Sequence, residues 1–140
     1  MNSFRADPTT IPPTPEGANE PYNQGDEASP GYDYEWAPQL YELAKEHSLN
    51  QANIGAISHD GVSDRFGRVT FCQWQSWGEN VAYNMESSEP DAAAMAIKQW
   101  AESIHGHREN MLSSTWNYAA VAAAQNEDFV YFTAKFMSCL

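Results

Sequence analysis

Apolar residues recur at helical spacing from Trp36 onward. Trp36, Leu40, Leu43, Ala44 and, one turn on, His47 share a face, and Pro38 sits where a first helical turn tolerates proline. Residues 50–57 read as a loop leading into the polar turn Ser58-His59-Asp60-Gly61. Ser63-Asp64-Arg65-Phe66 then fits a short helix capped by Ser63. Residues 67–78 mix Val69, Phe71, Trp74 and Trp77 with polar side chains and are not assigned to helix or strand. The clearest helix starts at Pro90-Asp91. Its stripe is Ile97, Trp100, Ala101 and Ile104, with Lys98 and Glu102 outward at i, i+4. Gly106 ends it, leaving His107 just past the terminus.

Beyond Trp116 the period changes to two. Tyr118, Ala120 and Ala122 share one side; later Phe129, Tyr131, Thr133 and Lys135 alternate with Val130, Phe132, Ala134 and Phe136. Asn126-Glu127-Asp128 lies between as a turn, so a C-terminal β-hairpin is expected. Helices first and strands last indicate an α+β protein rather than alternating β-α units. Ahead of Trp36 no periodicity is visible. Six of the eight prolines fall between residues 7 and 31, with Gly17, Gly25 and Gly31 among them. Proline fixes φ and removes amide donors, so a long loop or disordered arm is expected there. Residues 1–35 are therefore set apart as an N-terminal segment, and 36–140 as the folded domain.

Composition narrows the function classes. The 140 residues suit one domain that buries roughly two-thirds of its unfolded surface. Seven basic against nineteen acidic residues give a net charge of −12, which repels phosphate backbones and anionic membrane surfaces and attracts cations. Residues 1–35 hold seven acidic residues and one basic residue, a solvated acidic segment. No apolar run approaches the roughly 20 residues that span a bilayer. The N-terminus has neither a basic nor an apolar signal region, so the chain is either intracellular or lacks a signal already removed. Cys72 and Cys139 permit one disulfide, with two buried free thiols as the alternative.

The candidate chemistry lies in His59, Glu79 and His107. His59 and His107 are 48 residues apart, so only the fold can bring them together, with Glu79 as third ligand. Two imidazoles, one carboxylate and an open water position suit zinc. His105 is an alternative ligand. Ser103, one turn before His107, suggests a Ser-His pair, but it lies in a helix without the strained turn of a nucleophile. Neither cysteine has a nucleophile's setting. Arg108, with five donors, suits locking a loop through a carboxylate or carbonyls; Asn80 suits capping or bridging a turn. Trp100 and Trp116 read as core.

Taken in order, Ser58-His59-Asp60-Gly61, Gly78-Glu79-Asn80-Val81-Ala82, Trp100-x-x-Ser103 and Gly106-His107-Arg108-Glu109-Asn110-Met111-Leu112 form a pattern. With the closing Tyr131-Phe132-Thr133-Ala134-Lys135-Phe136, it resembles the CAP superfamily (SCP/PR-1-like), in its microbial branch, over about residues 36–140. The resemblance implies a three-layer α-β-α sandwich with a central antiparallel sheet and a surface cleft. It carries His59, Glu79 and His107 over as ligands of a divalent cation, zinc or magnesium. Ser103 takes the place of a second glutamate, and Asn80, Ser103, Arg108 and Asn110 support the cleft. Asn2-x-x-Arg5 resembles the family's opening motif, which would make residues 6–35 an insertion. The function implied is that of a secreted, extracellular, monomeric binding protein rather than an enzyme. Its ligand would be a lipid, a sterol or a host or cell-surface partner. The alternative is a metal-dependent hydrolase with Glu79 as base.

Overall fold

The computed structural model describes residues 1–12, 14 and 33–140. The expected Pro/Gly-rich loop lies for the most part outside the described residues. The elements are α1 (Asn2–Ala6), a 3₁₀ turn (Pro8–Thr10), β1 (Glu35–Trp36), α2 (Pro38–Ile54) and α3 (Val62–Gly67). There follow β2 (Trp74–Asn84), α4 (Glu89–Ala101), α5 (His107–Leu112), β3 (Tyr118–Gln125) and β4 (Val130–Cys139).

The sheet order is β1-β3-β4-β2. The three long strands are antiparallel: the alternation predicted the hairpin of β3 and β4, and the resemblance an antiparallel sheet, while the two-residue β1 pairs parallel with β3, making the sheet mixed. The hairpin turn is closed by Asn126, whose side-chain oxygen accepts the amides of Asp128 and Phe129. One face of the sheet is covered by α2 and α3, where Leu40, Leu43 and Phe66 pack on Ala120 and Met137. The other is covered by α4, α5 and α1, where Phe4, Trp100 and Met111 pack on Phe132, Ala134 and Phe136. The three layers expected from the resemblance are present.

Several boundaries differ from the sequence expectation. α2 runs on to Ile54 through the expected loop, because Gln51 and Ala52 face the sheet. There the Gln51 amide donates to Thr133 Oγ1. The cap of α3 is Gly61 rather than Ser63. α4 begins at Glu89, capped by Ser88, whose hydroxyl oxygen accepts the Asp91 amide. It stops at Ala101, so Ile104 lies beyond it and is exposed. Gly106 therefore starts α5 instead of ending α4. Its φ of 94° is a value side-chain-bearing residues avoid, and it lets the chain reverse there.

The first twelve residues belong to the packed structure. Arg5 and Arg108 are both almost wholly buried and donate to main-chain carbonyls. Arg5 Nη1 reaches Ser113 at 2.6 Å and Met111 at 3.3 Å. Arg108 Nη1 reaches Ile11 and Ala101 at 2.6 and 2.8 Å, pinning the N-terminal turn to the end of α4. Asn2 Oδ1 accepts the Tyr34 amide, so residues 2 and 34 are held side by side.

Cys72 and Cys139 form a disulfide across 67 residues, tying the lead-in to β2 to the end of β4. Replacing both by alanine is expected to lower the unfolding free energy by about 4 kcal/mol, read from denaturant titration.

Candidate functional site

β2 is where the site begins. Successive side chains on a strand point to opposite faces, so neighbours in Gly78-Glu79-Asn80 serve different layers. Glu79 points into the α2/α3 layer and Asn80 into the α4/α5 layer, opposite Lys135 and Ala134 respectively on β4. Gly78 lies on the Asn80 side. A Cβ there would meet Asn110 Oδ1 at 3.1 Å and Trp116 at 3.2 Å, so the close approach of α5 and its following loop requires glycine.

Glu79 is almost fully buried and surrounded by donors. Lys135 Nζ donates to Oε2 at 2.5 Å. Arg65 Nη2 lies 3.0 Å from both oxygens. His59 Nδ1 lies 2.9 Å from Oε1, and His47 Nε2 is 3.9 Å from the same oxygen. Burial alone would push the Glu79 carboxyl up. The His59 hydrogen bond and the charges and hydrogen bonds of Lys135 and Arg65 outweigh it and hold the carboxyl at about 2. Lys135 has no exposed surface and rests 4.3 Å from the Phe66 ring centroid. Burial brings its ammonium down to about 8, with the Glu79 charge resisting. His47 donates to the Ser58 carbonyl at 2.6 Å, and burial, partly countered by that bond, keeps its ring below its ordinary value.

The other layer is built from amides. Asn80 Nδ2 donates to the His107 carbonyl, and Asn80 Oδ1 accepts from Asn110 Nδ2, both at 2.9 Å. This fixes the first turn of α5. The His107 ring pairs through Nδ1 with Ser103 Oγ at 2.7 Å, and that oxygen also accepts the His105 amide. Burial holds the His107 ring below its ordinary value, helped by the nearby His59 and His105. Trp100 Nε1 donates to the Val81 carbonyl and Gln99 Nε2 to that of Tyr83, so α4 grips β2 directly. Ser103 and His107 line a cleft of about 730 Å³ together with apolar groups including Val81, Met95 and Phe129 and the polar Asn84, Glu86 and Gln99.

The expected trio is therefore divided. His59 and Glu79 meet directly, whereas the His107 ring, near enough to His59 to feel its charge, pairs with Ser103 rather than with Glu79. Asn80, Ser103, Arg108 and Asn110 all support the surrounding loops. Among the described residues, no group of three or more His, Cys, Asp or Glu side chains is placed to hold a metal ion. The donor chemistry explains this. Both Glu79 oxygens are occupied by a guanidinium and an ammonium, leaving no acceptor direction for a cation. The carboxylate thus does not fit the ligand role the sequence suggested. Arg65, His47 and Lys135 went unnoticed in the sequence as site residues. For Lys135 a signal existed: it shares an inward face with Tyr131 and Thr133.

The CAP family model, described as the cysteine-rich secretory protein family, matches residues 1–140. Comparison with curated proteins gives no match. Among solved structures, an extracellular protein containing an SCP domain from Bacillus anthracis is similar at 26% identity and a TM-score of 0.57, over 77% of this chain and 34% of that one. An outer surface protein from Borrelia burgdorferi shares 16% identity at a TM-score of 0.66, over 79% of this chain and 80% of its own. A cysteine-rich secretory protein from Staphylococcus aureus shares 17% identity at a TM-score of 0.55, over 77% of this chain and 32% of that one. This chain thus spans about a third of the Bacillus and Staphylococcus proteins.

Two outcomes follow from the buried carboxylate. Glu79→Gln leaves two buried cations without their counter-charge and is expected to cost about 3–5 kcal/mol, measured by denaturant unfolding. Folded Glu79 also binds its proton less readily than the unfolded group, so stability falls as pH falls. Its share, about 3 kcal/mol from a shift of 4.5 to about 2, is lost across that window. His47 and His107 act with the same sign, beginning below the unfolded value of 6.5. Unfolding free energies measured from pH 7 to 2 should show both declines, and Glu79→Gln should flatten the lower one.

Proposed function

This chain belongs to the CAP family, and we propose that it is an extracellular, non-enzymatic binding protein whose cleft beside His107 takes a largely apolar small ligand such as a sterol or fatty acid. The observation that carries this reading is the cleft itself. It has the volume of an ordinary small-molecule site, largely apolar walls from β2, α4 and Phe129, and a few polar groups, Asn84, Glu86, Gln99, Ser103 and His107, among them. A ligand with an apolar body and a hydroxyl or carboxyl group beside the imidazole fits that lining. Its body would lie along Val81, Tyr83 and Met95, and its polar group would meet the imidazole. The extracellular setting is supported by the Bacillus and Borrelia structures, described as an extracellular and an outer surface protein. It is supported too by the disulfide, which persists in oxidising surroundings. No helix among the described residues is long and apolar enough to cross a membrane.

The hydrolase reading loses its base. A general base works best with a pKa near the operating pH, and Glu79 is held at about 2 behind Lys135 and Arg65. The Ser103-His107 pair lacks an acidic partner for the second ring nitrogen among the described residues. Ring orientation through Nδ1 instead suits His107 to hydrogen-bonding a ligand.

Delipidated protein titrated with labelled cholesterol and with labelled palmitate should take up one of them saturably. Met95→Trp, which fills the cleft, should weaken uptake at least about tenfold, or ~1.4 kcal/mol. Absence of saturable uptake of both probes, or uptake unchanged by the bulky residue, removes the cleft reading.

A further inference from the structure

We infer that Lys135 is a built-in cation: its ammonium group neutralises Glu79 from within the chain and closes this site to divalent metal. The inference concerns the β2/β4 face and does not depend on what the cleft binds.

The register places it. Glu79 and Lys135 are direct cross-strand partners on β2 and β4, so their side chains emerge side by side on the face covered by α2 and α3. Nζ meets Oε2 at 2.5 Å, and neither side chain has appreciable exposed surface. Arg65 covers both oxygens from α3 while its other terminal nitrogen donates to the Asp60 carbonyl at 2.6 Å. His59 completes the set on Oε1. A carboxylate offers about four acceptor directions, and the four contacts from these three side chains use them.

A divalent ion could reach Glu79 only by displacing a cation already there. A displaced ammonium would have no water to enter: Lys135 is sealed beneath Phe66, and its loss of partner would leave a buried uncompensated charge. Binding through His59 and His107 alone is opposed as well. Arg65 and Lys135 against Glu79 leave one excess positive charge directly behind His59. A doubly charged ion on His59 would be repelled by it at short range. Removing the ammonium reverses both effects. Oε2 becomes available beside His59, and the local charge returns to neutral.

The test compares wild type, Lys135→Gln and the double variant Lys135→Gln/His59→Ala by calorimetric titration with zinc chloride at neutral pH. Wild type should show no saturable zinc binding. Lys135→Gln should bind saturably, at least about tenfold more tightly than the weakest affinity the titration can detect. The added His59→Ala change should abolish the gain. Wild-type binding as tight as that of Lys135→Gln overturns the inference, as does a folded Lys135→Gln that gains nothing. If Lys135→Gln folds only when zinc is supplied, the inference is supported. If it folds under neither condition, wild-type melting curves decide. Curves that coincide in EDTA and in excess zinc support a built-in cation, and a zinc-dependent rise of several degrees overturns it.

Discussion

One buried carboxylate organises this protein. Glu79 receives a guanidinium from α3, an ammonium from β4 and an imidazole from the loop after α2, so a single side chain joins two parts of one layer and the neighbouring strand. Desolvating an ion is expensive, and the cost is offset only when every partner is in place. The arrangement is consequently all or none. His59 keeps its orientation because Glu79 is fixed, and Glu79 is fixed because Arg65 and Lys135 are. The immediate neighbour Asn80 performs the matching task for the opposite layer with neutral amides. Charge secures one face of β2, and amide hydrogen bonding the other.

That division explains why the chain's most recognisable motif does not act as one chemical unit. Gly78, Glu79 and Asn80 are adjacent in sequence, but strand alternation sends their side chains to different layers. Glycine lets Asn110 and Trp116 close in, glutamate anchors the α3 side, and asparagine positions α5. His59 and His107 lie near one another beside this strand, each with its Nδ1 already committed to a different partner.

Much of this was legible beforehand. α2 and α4 were visible from their apolar stripes and the hairpin from its period-two pattern. The meeting of His59 with Glu79, and the disulfide, were among the possibilities the residues allowed. What escaped was tertiary in origin. β2 is rich in polar residues, and three of them, Glu79, Asn80 and Asn84, are buried, so no alternating pattern marks it as a strand. The last turn of α2 is held by Gln51 reaching Thr133, a partner 82 residues away. α1 is too short to announce itself and exists because Phe4 packs in the core and Arg5 caps the carbonyls after α5. Lys135 as the partner of Glu79 depends on strand register, which only the assembled sheet defines.

The grip of α4 on β2 has a consequence for how molecules of this protein meet. β2 is the outermost strand on its side of the sheet, eleven residues long, and a bare strand of that length invites another chain to zip onto it. Trp100 and Gln99 already occupy the outward carbonyls of Val81 and Tyr83, so an incoming strand would first have to pry away a helix whose buried tryptophan is part of the core. The same indole that packs the interior thus serves as a guard against edge-to-edge aggregation.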